Sequence, residues 1–416
     1  MTQEKFKNIT SQEGFKTLPK TQQIFLQKYA SEYRFSVQNF KQLVDIAIDL
    51  NMWNEKSIDK ILPQDKQNSK EIMKELKEYY QELKNQPIKY DNFKDITIKP
   101  QKIQITSQEK DSLGFGLCPV ASNKTRCCNL LTLDVVESCG FDCSYCSIQS
   151  FYNESQVNFN KSFTKQLQNL KLDPNQTYHV GTGQSSDSLM WGNRYKVLDT
   201  LVKFAKDNPN VILEFKTKSK NIEYLLSHDI PKNIICTYSL NPQIIIDHEE
   251  HLTSSLDERL QSAKKLHDSG IIVGFHFHPM VYCANYQKEY GNIFKRLVEE
   301  FDPFRVAMVS FGTLTFTKST IKKIRQRDFK TKVLQIPLTQ TGGKFSYPDK
   351  TKIEMFKYAY KSLKKWHKKV FFYLCMEDES LWREVFGFCY PTNESFEMDM
   401  KLNYFKKISQ NVDSCN

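Results

Sequence analysis

Three of the eleven cysteines in this 416-residue chain fall within one short run, Cys139-Gly140-Phe141-Asp142-Cys143-Ser144-Tyr145-Cys146. The C-x3-C-x2-C spacing directly follows Leu131–Val136, an apolar stretch that reads as a strand. Three thiolates this close, on a loop held by a strand, can converge on one metal centre. Two metals compete for them. Structural zinc takes four protein ligands, usually in paired C-x2-C units, and Cys118, Cys127 or Cys128 could supply the fourth. An iron–sulfur cubane held by only three cysteines keeps one iron free for a substrate or cofactor. The strand's carboxyl end favours the second, because βα architectures assemble their active sites there. Two further groups carry chemistry. His276 and His278 form an H-x-H pair that a strand would point to one face, as a metal site, a substrate-binding pair or polar lining of a barrel mouth. Glu377 and Asp378 are acid–base groups or a helix cap, and the cap is the expectation.

The elements that must position these residues change character along the chain. Residues 1–110 read as helical. Lys20–Met52 carries mixed three- and four-residue apolar spacing, with a break at Arg34–Ser36 and Ser36 as N-cap. Ser69–Gln86 is a charged amphipathic helix, and 87–108 reads as a linker with Pro87 and Pro100. From about 130, short apolar runs alternate with helical patterns. The strands expected are Leu131–Val136, Tyr178–Gly181, Val211–Lys216, Ile234–Ser239, Ile271–His276 and Arg305–Ser310. Such alternation argues for βα units and a parallel sheet, in a partial barrel or an open doubly wound form. The domains expected are a helical segment over 1–110, an α/β core over 111–315 and a C-terminal α+β extension over 316–416. That extension holds a helix at Lys350–Lys365, a strand at Val370–Cys375 and a helix at Ser380–Phe386, and is expected to cover the open side of the sheet.

Composition narrows the class. Hydrophobic residues make up 39% and charged residues 26%, enough to bury a sizeable core and to exclude global disorder. No apolar run approaches the roughly 18 residues of a membrane span. The start, MTQEKFKNIT, lacks the apolar core of a secretory signal, which points to a cytoplasmic protein. An odd cysteine count in that setting argues for metal or redox chemistry over a disulfide framework. The net charge of +11 permits a nucleic-acid partner without requiring one.

The cysteine run, with aromatic Tyr145 before its last member, resembles the cluster loop of radical S-adenosylmethionine enzymes. The resemblance implies a [4Fe-4S] cluster on Cys139, Cys143 and Cys146, whose remaining iron chelates S-adenosylmethionine. Reductive cleavage of that cofactor then gives a 5′-deoxyadenosyl radical that abstracts hydrogen from substrate. Six further stretches recur in order: Gly181–Leu189, Glu214–Lys218, Tyr238–Pro242, Gly274–Pro279, Ser310–Leu314 and Leu374–Glu377, with Gly343-Lys344 before the last. Together they are similar to the spore photoproduct lyase branch. That likeness implies a partial (β/α)6 TIM-like barrel and repair of a thymine-dimer lesion in DNA. It places cofactor contacts at Ser186, Lys218 and Ser239, with Tyr145 near the adenine and a flavodoxin, ferredoxin or reductase as electron donor. Gly181 and Gly183, after the second strand, would let backbone approach the cofactor's polar end.

The chain also departs from that pattern. Where the branch carries a cysteine that returns hydrogen to the thymine radical, Gln184 stands, and an amide has no weak bond to hydrogen. His278 replaces an aspartate, and Thr315 an arginine suited to phosphate. Candidate replacement donors are Cys283 and Cys375, with Cys236 and the pair Cys127-Cys128 behind them. Three functions therefore stay open: a radical enzyme on DNA, a radical enzyme on a peptide or small molecule, and a zinc-stabilised binding protein.

Overall fold

The computed structural model describes residues 2–65, 68–91, 93, 103–118, 125–152, 156–341 and 343–413. Eight strands form its main sheet: β1 (Gly114–Leu117), β2 (Leu131–Asp134), β3 (Tyr178–Thr182), β4 (Val211–Thr217), β5 (Ile234–Ser239), β6 (Ile272–Met280), β7 (Val306–Thr313) and β8 (Phe371–Leu374). β2 to β8 lie side by side in chain order and pair parallel, as βα units with helical crossovers require. β1 adds antiparallel outside β2. The central strands are buried on both faces, so β4, β5 and β7 read as near-continuous apolar runs.

The α/β class and the open barrel follow the expectation, with one more parallel strand than the six expected over 111–315. β8 joins the sheet edge beside β7, Phe311 opposite Leu374, where the sequence suggested a strand covering the open side. The long, loosely patterned stretch between β7 and β8 hides that crossover. The sheet does not close, but an isolated bridge between Arg126 and Glu377 crosses the seam from the β1–β2 loop to the residues beyond β8.

Amphipathic helices cover the outside. The N-terminal segment holds α1 (Lys20–Glu32), α2 (Val37–Met52) and α3 (Ser69–Lys84). Ser36 caps α2 as its position suggests, its Oγ accepting from the Asn39 amide at 3.1 Å. Of the linker expected over 87–108, residues 92 and 94–102 lie outside the described residues, while Gln104–Gln108 is a strand parallel to Gln156–Asn160. α4 (Val197–Asp207), α5 (Leu256–Asp268) and α6 (Tyr286–Glu300) are crossover helices. Ser255 and Glu258 form a capping box at the start of α5, and Gly270, at φ +90°, lies just past its end. α7 (Lys318–Arg325) and α8 (Asp349–Ser362) lie between β7 and β8, with α9 (Glu379–Phe386) and α10 (Asn393–Asp413) after β8.

Two contacts bind these parts together. Asp49 of α2, fully buried, accepts a fork from Arg325 of α7 at 2.8 and 2.6 Å and the Tyr80 hydroxyl of α3 at 2.5 Å. The N-terminal helices are thereby anchored to the segment after β7. α10 has no counterpart in the sequence reading. It packs against both β4 and β7, which are separated in the sheet by β5 and β6. A helix touching both lies within the concave face, and Phe396, Met400, Tyr404 and Ile408, one helical turn apart, are its buried stripe.

Candidate active site

The cysteine loop is held from both sides. Asp142–Cys143 pairs antiparallel with Glu250–His251, and the Ser144 amide donates to the Glu249 carbonyl at 2.8 Å. Arg327 reaches both Asp142 carboxylate oxygens at 2.7 Å. Cys139, Cys143 and Cys146 consequently line one wall of a cavity of about 380 Å3 at the carboxyl ends of the strands. Burial pushes the Cys139 and Cys143 thiols up, Cys143 to about 12. A metal centre bound there must displace those protons. Among the described residues, no three cysteine, histidine or carboxylate side chains already stand as ligands of one ion.

A polar wall faces the loop. Lys218, just beyond β4, donates from Nζ to the Tyr145 hydroxyl at 2.9 Å and lies 3.5 Å from Glu250. Glu250 accepts from Tyr145 and from Asn241 Nδ2 at 2.7 Å, and its other carboxylate oxygen forms an ion pair with Arg259 at 2.7 Å, neither charge of that pair being exposed to solvent. Burial would raise the Glu250 carboxyl, but Lys218 and Arg259 hold it down to about 2. Arg259 also donates to the Ser239 carbonyl at 2.8 Å, tying the end of β5 to the same network. Asp187 gathers four donors: the amides of Lys218 (2.7 Å), Leu189 (3.0 Å) and Met190 (2.9 Å) and the Thr217 hydroxyl (2.8 Å). The loop after β3 is thereby clamped to the end of β4.

Of the residues singled out for the cofactor, Tyr145, Gly183, Ser186, Lys218 and Ser239 line the cavity. Ser186 Oγ accepts from the Trp191 indole at 3.1 Å, while Ser239 Oγ is buried with no partner among the described residues. Gly183 has φ +76°, and a Cβ there would lie 2.6 Å from Ser188 Oγ, so only glycine fits the turn. Gly181 is elsewhere: it sits inside β3 under the Leu130 side chain, where its missing Cβ serves packing. His276 and His278 do share a face, ring centroids 5.2 Å apart, and both reach the cavity. His276 is committed to a buried network, with Nε2 2.8 Å from Glu214 and Nδ1 2.6 Å from Ser310, and Glu214 also meets His179 (2.8 Å) and Thr237 (2.6 Å). Burial and Lys216 press His276 down to about 4, so it is neutral at physiological pH. Glu377 pairs with Lys352 at 2.8 Å outside the cavity lining, and Asp378 caps α9 through the Ser380 amide at 2.9 Å, the reading favoured from sequence.

The replacement donors separate. Cys375, directly after β8, lines the cavity together with Gln184, Cys118, Cys127 and Cys128. Cys283 and Cys236 are buried outside that lining. Sequence reasoning passed over Glu250, Arg259, Asp187 and Lys216. A usable signal existed for Glu250: the acidic pair Glu249-Glu250 follows the apolar run Ile244–Ile246, a poor place for unpaired charge.

A strand-end cavity with a three-thiol loop on one wall and lysine, serine and glycine on the other is the layout of radical S-adenosylmethionine enzymes. Residues 64–378 match the family model described as spore photoproduct lyase. The chain belongs to the spore photoproduct lyase family, a branch of those radical enzymes. A spore photoproduct lyase of Clostridium acetobutylicum is 24% identical over 244 residues, 56% of this chain and 68% of its own length. One from a Geobacillus species is 24% identical over 208 residues, 48% of this chain and 61% of its own length. Among solved structures, a spore photoproduct lyase double mutant with bound AdoMet and dinucleoside spore photoproduct is similar in fold. Its TM-score is 0.55 at 20% identity, covering 65% of this chain and 82% of that one. Among the described residues no helix is long and apolar enough to cross a membrane.

Proposed function

We propose that this chain holds a [4Fe-4S] cluster on Cys139, Cys143 and Cys146, binds S-adenosylmethionine against it and acts on a thymine-dimer lesion in DNA. The observation that carries the reading is the convergence in one cavity of the three thiols with Gly183, Lys218 and Ser239. The residues fit the group. Ser239 Oγ is a buried hydroxyl without a partner among the described residues, Gly183 leaves room for close approach, and Lys218 offers a cation beside the cysteine loop. Cluster and cofactor supply, when bound, a one-electron reductive cleavage and a carbon radical that takes hydrogen from substrate. The protein's share is positioning. Glu250 and Tyr145 fix the Lys218 ammonium, Asp187 fixes the glycine turn, and the plug helix α10 closes the cavity from below with Phe396. The reductant is a flavodoxin, ferredoxin or reductase, and the +11 charge suits a polyanionic substrate.

Anaerobic purification, reduction, addition of S-adenosylmethionine and chromatography of 5′-deoxyadenosine test the reading. Formation is expected, stimulated by irradiated DNA and lost in Cys143→Ala, with DNA binding that weakens steeply as salt rises. Cleavage that irradiated DNA leaves unchanged would remove DNA as substrate and favour a small molecule or peptide, in keeping with Gln184 in the cavity. A colourless protein with stoichiometric zinc would remove the radical reading.

A further inference from the structure

We propose that Cys375 is the hydrogen-atom donor of this chain, a catalytic thiol supplied from the far edge of the sheet in place of the one that Gln184 displaces. The inference rests on the radical reading above and adds to it the group that ends the reaction. Cys375 follows β8, and its amide donates to the Phe311 carbonyl at 2.8 Å, which extends the ladder and fixes the residue at the strand-end mouth. Its side chain shares the cavity with the three loop cysteines and with Gln184. A donor must carry a hydrogen at working pH and must reach the substrate. Burial, reinforced by Cys118 and opposed by Lys216, pushes the Cys375 thiol up to about 12, so it stays protonated.

The other thiols fit less well. Cys283 and Cys236 lie outside the cavity lining. Cys127 is lowered by its hydrogen bond with Cys128, so the two thiols are engaged with each other. The Cys128 hydrogen is the one engaged in that bond, and the same contact pushes Cys128 up. A second observation marks this end of the cavity as the substrate's place. His278 Nε2 is buried, lines the cavity and has no hydrogen-bond partner among the described residues. Lys216 also lines the cavity, and Glu214 keeps it cationic against burial. Together they suit a substrate that presents carbonyl or anionic oxygens, as a pyrimidine nucleotide does.

In the step itself the Cys375 Sγ–H bond breaks, a C–H bond forms at the substrate radical, and sulfur keeps the unpaired electron. One electron from the flavodoxin- or ferredoxin-class reductant that cofactor cleavage already needs, with one proton from water, restores the thiol. The donor hydrogen therefore comes from solvent.

The test runs the reconstituted full-length enzyme with irradiated DNA in D2O and reads deuterium in the repaired base by mass spectrometry. The parent protein is expected to place one solvent deuterium in each product. Cys375→Ser, whose O–H bond is too strong to serve, is expected to keep 5′-deoxyadenosine formation. Its product per deoxyadenosine and its deuterium incorporation are both expected to fall about tenfold or more. Cys375→Ala gives the same readout should the serine variant fold poorly, and Cys283→Ser should match the parent. A reading outside turnover is alkylation of Cys375, which bound irradiated dinucleotide should slow relative to Cys389. Full deuterium transfer by both Cys375 variants, or loss that instead follows Cys118→Ser or Cys128→Ser, would overturn the assignment. No deoxyadenosine from the parent protein overturns the radical reading itself, a separate result.

Discussion

Replacing Glu250 by glutamine should be among the most destabilising single changes to this protein. Glu250 and Arg259 are both fully buried and 2.7 Å apart, and Lys218 stands 3.5 Å from the same carboxylate. Glutamine keeps the volume and can still meet Asn241 and Tyr145, so packing changes little. What it removes is the negative charge that the buried Arg259 and the cavity-lining Lys218 both face. Breaking a buried pair by deleting one partner costs roughly 3–5 kcal/mol, against about 5–15 kcal/mol for the whole fold. Urea unfolding of the metal-free protein at neutral pH, followed by circular dichroism, measures the loss. The double variant Glu250→Gln with Arg259→Met should recover about half of it, because the stranded guanidinium is gone. A loss below about 1 kcal/mol would mean that the pair behaves like a surface contact. Strictly additive losses in the double variant would equally refute the coupling on which the argument depends.

The remaining expectations concern the loop after β3 and the histidine network. Gly183→Ala forces a φ of +76° on alanine and a Cβ to 2.6 Å from Ser188 Oγ, so calorimetry should show a lower unfolding temperature, equivalent to about 2 kcal/mol or more. An unchanged midpoint would mean that the turn is free to relax. His276 titrates normally near 6.5 once unfolded but is held to about 4 in the fold, facing Glu214, His179, Lys216 and His278. Between those values the unfolded chain binds the extra proton, so stability must fall as pH drops from about 6.5 to about 4, by at most ~3.5 kcal/mol. His276→Gln should flatten that part of the urea-stability profile, and an equally steep profile in the variant would refute the assignment.

What could be read from sequence was what is local. Cysteine spacing in Cys139–Cys146, the Ser36 cap and the Gly270 helix stop each depend on neighbours a few residues away. The strand-end positions of Lys218 and Ser239 followed from the βα alternation. Glu250 and Arg259 were illegible because their meaning is tertiary: each looks like an ordinary charge on a helical stretch until the loop, β5 and α5 meet. Gly181 and Gly183 look alike in sequence, yet one sits in a strand beneath Leu130 and the other makes a left-handed turn. β8 was visible as a strand, but its neighbour was not, since the residues between it and β7 form α7, α8 and a small antiparallel ribbon. The four-residue spacing of Phe396, Met400, Tyr404 and Ile408 announces an amphipathic helix. Nothing in it announces that the helix turns inward.

That inward helix also sets an order of assembly. β4 and the cysteine loop leave the ribosome long before α10, and until α10 arrives the concave face of the sheet lacks its apolar filling. During that interval the cavity lacks the wall that Phe396 supplies, so the loop thiols can be approached from that side as well as from the mouth. Arrival of α10 removes that route, because its Phe396 becomes part of the chamber wall. A chain cut before residue 393 would keep every proposed metal and cofactor ligand and still present a corridor in place of a chamber. Water and oxygen would then have a second way in, and retention of an oxygen-sensitive centre would depend on residues that never touch it.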